Sequence, residues 1–446
     1  MDDIQELSRA ESPLATARSP PWIRWSPSRS MHTTSGLSTV PLPALLRSTA
    51  VLHACASDGL VKLAAAILSR AAVGRGPPVI GAAALAATRA TAFAQFVAGE
   101  SLAEAQERAQ ALGRCNVRCI VDHSTEELED GDARKAVVEG KVALLQELRA
   151  GLGAQCAFVP LKLTALISPT LLERLTVGVA AADAATAAAP SAHDAEAALT
   201  LAADAAGLSA AERGELVSSR ASMRELCLGA RESGVGLLLD AEQTHRQPAI
   251  RLIARALAAE FNRPPRVPLV YDTHQAYLVG TEERLRHELQ LAEAGGYTLA
   301  VKLVRGAYRV AEALKDESVL QPTKHATDVA YDRCAALLLE ASIAEPAAVA
   351  ASSESDAAAS ASSSAAALLL ATHNRESVRK VTEKLQSSGQ PLDHERVHIA
   401  QILGMGARAL SLPIRHHSPR PLQIQARLRR FRRLRVRLPC AWQRTT

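Results

Sequence analysis

Aromatic side chains are scarce in this chain, at 3% of 446 residues. An alanine-rich chain with so few rings fits a helix-rich α/β protein. No run of about 20 uninterrupted apolar residues is present, so a membrane-spanning helix is not indicated. The greasiest stretches, 60–72 and 78–98, are bounded or broken by Lys62, Arg70, Arg75, Pro77 and Pro78. Cysteine is sparse as well. Seven are scattered along the chain, and the close pair Cys115 and Cys119 has no second pair or histidine cluster to complete a zinc pattern. An odd number of thiols in a long chain fits a reducing compartment such as cytosol or an organelle matrix. No GxGxxG motif follows any strand candidate, which removes the Rossmann dinucleotide site. Acids are missing from the carboxyl-terminal stretch. From Arg415 to Thr446 there are ten arginines and no Lys, Asp or Glu. Taking those ten charges from the net +5 leaves a body at −5, so general nucleic-acid binding is not expected.

Residues 1–42 are rich in Ser, Pro, Thr and Arg and lack an apolar period, so disorder is expected there. Arg9, Arg18, Arg24 and Arg29 fit an organelle transit segment, whereas Asp2, Asp3, Glu6 and Glu11 oppose it. Residues 43–114 show a period near 3.6 and read as an α-helical arm. Beyond it, from 115 to 412, strand and helix patterns alternate. Strand candidates fall at 117–122, 157–163, 235–240, 267–271, 298–304, 367–371 and 397–403. Helical patterns fill 137–150, 209–232, 281–294, 326–344 and 374–388. This alternation predicts a mostly parallel sheet with helices outside it, close to a (β/α)8 barrel. Two tracts, 179–206 and 345–366, are low in complexity and read as surface-loop insertions.

In such a barrel the chemistry lies at the carboxyl ends of the strands. Those ends carry Asp122, then Lys162 and Thr164, then Asp240, Glu242 and Gln243. Next come Thr273, His274 and Gln275, followed by Lys302, Arg305 and Tyr308, then Thr372, His373 and Asn374, and finally Gln401. A lysine at a strand end is ordinarily solvated, and a lone Asp often caps the next helix. Their convergence on one mouth points instead to a polar ligand site. The set is mixed in charge and rich in amides, without a Ser–His–acid triad or a metal cluster. Amides can bridge donors and acceptors on a flat heterocycle, and cations can stabilise a reduced, anionic ring. That chemistry suits a flavin.

The motifs DAEQTHRQPAI (240–250), VYDTHQAYL (270–278), KLVRGAY (302–308), ATHN (371–374) and QILGMG (401–406) occur in the order and spacing of proline dehydrogenase. VPLKLTAL (159–166) and FVAGES (96–101) add to the likeness. The chain resembles the mitochondrial, eukaryotic form of that family. The resemblance implies a distorted (β/α)8 barrel that binds FAD and oxidises L-proline to Δ1-pyrroline-5-carboxylate. Electrons would pass to a membrane quinone, and pyrroline-5-carboxylate dehydrogenase would be a partner. By matching motif, Lys162, Asp240 and Tyr308 would line the substrate pocket, with Lys162 and Asp240 forming a buried ion pair. Gln275, Lys302, Arg305, Gly306, Ala307, Thr372, His373, Asn374 and Gln401 would hold FAD.

Some positions depart from the family pattern. His245, His274 and Arg309 replace residues that are usually apolar or aromatic. After Pro413 the chain lacks the family's Tyr-x-Pro-Tyr-Gly strand and the following helix, whose two arginines clamp the substrate carboxylate. Residues 413–446 therefore read as a basic tail outside the family pattern. The barrel is expected to lack its eighth strand and last helix. This leaves a second reading open, a catalytically impaired or regulatory relative without the clamp.

Overall fold

A computed structural model of the chain describes residues 42–72, 78–114, 116–123, 131–188, 194–344, 365–405 and 422–428. The leader up to residue 41, the Ala/Ser tract 345–364 and most of the basic tail lie outside the described residues.

The strands are β1 (Val97–Gly99), β2 (Val117–His123), β3 (Cys156–Leu161), β4 (Gly236–Leu239), β5 (Val270–Gln275), β6 (Leu299–Val304), β7 (Ala366–Ala371), β8 (Val397–Ile402) and β9 (Leu422–Leu428). From β2 to β8 each strand pairs in parallel with the next. Strand β9 then pairs with β2 on one edge and with β8 on the other, which closes the ring. Where β8 stops, β1 takes over the same edge of β9. The barrel architecture expected from the alternation is present. The eighth position, expected to be empty, is filled by a segment of the basic tail. Its sequence, LQIQARL, alternates apolar and polar residues, which is the period of a strand.

A cluster drawn from β2 to β8 plugs the interior: Ile120, Ala157, Phe158, Leu238, Tyr271, Ala300, Ala367, Leu369 and Ala400. Phe158 meets Tyr271 edge-on at 5.0 Å between ring centres. Gly236 makes room for this plug, because a Cβ there would lie 2.4 Å from the Phe158 ring. Outside the ring, the alternate strand residues pack against the helices in two larger apolar clusters.

Three segments differ from the sequence expectation. The described residues of the alanine-rich stretch 179–206 are largely helical, belonging to Pro169–Ala188 and Ala195–Ala205, and Ala198, Leu199 and Ala202 are buried. Alanine is the best helix former, and its small side chain lets helices approach closely. Gly178 shows how closely, since a Cβ there would lie 1.9 Å from the Ala202 carbonyl oxygen. The helix Gln247–Phe261 was not anticipated. It is buried along most of its length, although Gln247, Arg251 and Arg255 recur every four residues on one side of it. The fourth core strand starts at Val270 instead of Val267. Pro264, Pro265 and Pro268 have no amide hydrogen to give a ladder. The Asn262 side chain instead accepts from the amides of Leu269 (2.8 Å) and Val270 (2.9 Å).

Helices Leu42–Cys55, Asp58–Ala72 and Pro78–Thr88 precede the ring. They are fastened to it through Gln95, whose Nε2 donates to Ser48 Oγ (2.7 Å) and to the Gly404 carbonyl (2.8 Å). Gly404 follows the end of β8, so the fastening lies at the carboxyl-end rim.

Candidate active site

Side chains alternate between the two faces of a strand. Counting forward in twos from the plug therefore shows which residues enter the mouth. Ile120 leads to Asp122, Phe158 to Lys162, Leu238 to Asp240, Tyr271 to Gln275 and Ala300 to Lys302. Five polar or charged side chains from five consecutive strands thus converge above an apolar floor.

Their contacts fit this placement. Lys302 Nζ donates to Asp240 Oδ1 at 2.8 Å. Lys162 Nζ lies 3.4 Å from the Tyr308 hydroxyl. The expected ion pair is therefore re-partnered, with Asp240 paired to Lys302 and Lys162 turned to Tyr308. Register leaves both lysines level with Asp240, since Leu161 pairs with Leu239 and Leu239 stands level with Val301 across β5, so the choice of partner is made by the side chains and not by strand height. Burial pulls the Lys162 ammonium down, but Tyr308, Asp240 and Glu242 together hold its pKa above the ordinary lysine value. Burial also pushes the Tyr308 phenol up.

Glu242 sits beneath these groups. It accepts from the Thr164 hydroxyl at 2.9 Å and from its amide at 3.3 Å. Burial raises its pKa, against the opposing pull of Thr164 and Lys162. Gln275 is held at both ends of its amide. Its Nε2 donates to the Glu242 carbonyl (2.9 Å), and its Oε1 accepts from the Ala307 amide (3.3 Å). Gly306 has φ 143°, and a Cβ there would run into the Tyr277 ring.

A narrow cleft adjoins Lys162 and Asp240 and is also lined by Asp122 and Lys141. Lys141 Nζ donates to the His123 carbonyl at 2.7 Å. Burial lowers its pKa, and Asp122 and Asp240 oppose that shift.

Arg305 and Asn374 anchor a second group on the outer, helix-facing side of the wall. Arg305 Nε donates to Asp328 Oδ1 (2.6 Å), Nη1 to Thr372 Oγ1 (2.7 Å) and Nη2 to Ser377 Oγ (3.1 Å). Its guanidinium also lies over the Tyr331 ring at 4.2 Å. Asn374 caps the helix Arg375–Ser387, and its Oδ1 accepts from the amides of Glu376 and Ser377. His373 Nε2 accepts from the Ile402 amide at 3.3 Å, and burial lowers its pKa. A neutral ring bonded in that way carries its proton on Nδ1. That Nδ1 is buried without a partner, and so is Gln401 Oε1.

Of the unusual residues, Arg309 reaches the Gln321 carbonyl at 3.2 Å and His274 lies 3.1 Å from Asp272. His245 stands beside Lys315 at 3.0 Å. Sequence reasoning did not single out Lys141, Asp328 or Ser377. Each sits on a helix, where Lys, Asp and Ser ordinarily face water, and no linear pattern distinguishes them. Glu242 was noted at a strand end but given no role.

The proline dehydrogenase family profile matches residues 105–422. The chain is 33% identical over 337 residues to hydroxyproline dehydrogenase of Homo sapiens, a match covering 71% of this chain and 68% of that protein. It is 28% identical to proline dehydrogenase 1, mitochondrial, of Arabidopsis thaliana, over 82% of this chain and 72% of that one. Among solved structures, proline utilization A of Bdellovibrio bacteriovorus superposes with a TM-score of 0.57 at 16% identity, over 86% of this chain. The match spans 35% of that longer protein. This likeness concerns the fold.

Proposed function

Because this chain belongs to the proline dehydrogenase family, we propose that it oxidises L-proline to Δ1-pyrroline-5-carboxylate with FAD as its cofactor. The supporting observation is the convergence of Lys162, Asp240, Gln275 and Lys302 over the plugged floor of one barrel mouth. Oxidation removes a hydride from the ring carbon beside nitrogen and a proton from that nitrogen, leaving a C=N bond. FAD, when bound, supplies the two-electron acceptor.

The residues present fit that group. Gln401 Oε1 and His373 Nδ1 are buried and unpaired, so they offer an acceptor and a donor to a polar heterocycle. Lys302, which enters the mouth as an ammonium paired to Asp240, supplies positive charge where a reduced ring carries negative charge. Arg305, Gly306, Ala307, Thr372 and Asn374 shape the rim from β6 to the helix after β7. Tyr308 and Lys162 close the substrate side, and Asp240 fixes the direction of Lys302. A membrane quinone would take the electrons, and pyrroline-5-carboxylate dehydrogenase would consume the product. Relatives named mitochondrial support that compartment.

The test is a purified, yellow protein that bleaches anaerobically on addition of L-proline. trans-4-Hydroxy-L-proline is run alongside, because mammalian relatives carry the name hydroxyproline dehydrogenase. The missing carboxylate-clamp signature favours a second reading, an impaired relative. A protein that binds FAD but is bleached by neither substrate would establish it. A colourless protein that FAD does not reconstitute would overturn both.

A further inference from the structure

The helical arm exposes an unusual amount of apolar surface. On the helix Asp58–Ala72, Leu60 is 52% exposed, Leu63 57% and Ile67 37%. Their spacing puts all three on one side of the helix. The next helix, Pro78–Thr88, has no charged residue and leaves Val79 and Leu85 exposed. A contiguous apolar face of this kind marks an interaction surface.

Charge identifies the partner. From Leu42 to Phe96 the only acid is Asp58, against Arg47, Lys62, Arg70, Arg75 and Arg89. Arg70 lies seven residues beyond Leu63 and so shares its face, where a long basic side chain can lie along apolar surface and lift its charge to a headgroup. Neither Lys62 nor Arg70 has an ion-pair partner among the described residues. A second copy would bring like charge against like. So would the arginine-rich tail. An anionic lipid surface is complementary to both features, the apolar face and the cations.

Among the described residues no single helix is long and apolar enough to cross a bilayer. Helices Leu42–Cys55 and Asp58–Arg70 together reach that apolar length, but the chain bends by 96° between them. Such a bend suits helices lying on a surface. We propose that helices Asp58–Ala72 and Pro78–Thr88 of the arm lay this face on an anionic bilayer. Because Gln95 joins the arm to Gly404 at the end of β8, the barrel rim is then held close to the membrane. This deepens the proposed quinone reduction by giving the acceptor a route to the mouth. Vesicle binding is read without turnover, so the two ideas fail separately.

The experiment is co-sedimentation of the full chain with vesicles of pure phosphatidylcholine and of phosphatidylcholine mixed with phosphatidylglycerol. Binding is expected on the mixed vesicles and weakens as salt rises. L63E/I67E should lose more than about tenfold in partitioning. K62Q/R70Q should lose about thirtyfold at low salt, at roughly tenfold for each 1.4 kcal/mol and 1 kcal/mol per cation. Both variants alter exposed side chains, and an unchanged melting temperature verifies folding. R432Q/R433Q, in the tail, should bind as the parent does. Undiminished binding by L63E/I67E, or loss of binding in R432Q/R433Q alone, would overturn the proposal. So would a dimer, seen by sedimentation velocity, that L63E/I67E dissolves while the parent ignores lipid.

Discussion

Lys302 and Arg305 stand three residues apart at the end of β6, yet they serve opposite faces of the barrel wall. Lys302 enters the mouth and spends one bond, on Asp240. Arg305 turns outward and spends three, on Asp328, Thr372 and Ser377, while its plane rests on Tyr331. The inner cation keeps donors free for a ligand. The outer one ties β6, β7 and two helices together. Adjacent positive charges in a motif are therefore not equivalent, and strand parity separates them.

The contrast is sharpest in activity. Lys302→Met should lower kcat/KM by at least about 10²-fold, or roughly 2.7 kcal/mol, the scale of one lost electrostatic stabiliser. Its melting temperature should move little, because the orphaned Asp240 still reaches water. Steady-state dehydrogenase kinetics beside thermal melting checks both halves. Equal loss of stability in Lys302→Met and an Arg305 variant would erase the distinction.

Arg305→Leu should mainly cost stability, by about 2–3 kcal/mol, since it leaves Asp328 without its guanidinium and the Ser377 hydroxyl without its arginine donor. Urea unfolding measures this. Burial would raise the Asp328 pKa, but Lys324 and Arg305 hold it below the ordinary value. Its contribution is therefore present above the unfolded carboxylate pKa and fades as pH falls through the depressed folded one. The Arg305→Leu deficit should accordingly shrink in acid.

Gly306→Ala should cost about 1–3 kcal/mol, from strain at φ 143° and from displacement of the Tyr277 ring. A drop of a few degrees in melting temperature would report it. A fully stable variant would show that the turn between the two cations relaxes freely.

The smallest effect concerns His373, whose folded pKa is lowered by burial. Below pH 6.5 the unfolded chain takes up a proton that the folded one resists, so stability falls as pH drops. His373→Gln should remove that loss, worth less than about 1.4 kcal/mol per pH unit. Unfolding curves at pH 5 and 7.5 measure the difference.

The barrel could be read from the sequence because its strands are short apolar runs closed by polar residues, as at VKLVRGAY. Part of the mouth could be read for the same reason, since Asp122, Asp240 and Lys302 each stand two places beyond an interior residue of their run. Partners could not be read. Which lysine meets Asp240 depends on side-chain contacts across the ring, since register leaves both level with it. Asp328 and Ser377 reach Arg305 from helices whose sequence looks solvent-facing. The alanine-rich stretch 179–206 misled because its composition was weighed ahead of helix propensity. In LQIQARL, arginine abundance around the segment hid a two-residue alternation.

Ring closure by β9 also bears on the order of assembly. Val117 and Leu422 are neighbours in space but come from opposite ends of the barrel's sequence. A nascent chain emerging amino end first must present β2 and β8 as open borders until the last strand is synthesised. Synthesis of β9 thus governs how long a sticky, half-finished cylinder is exposed in the cell.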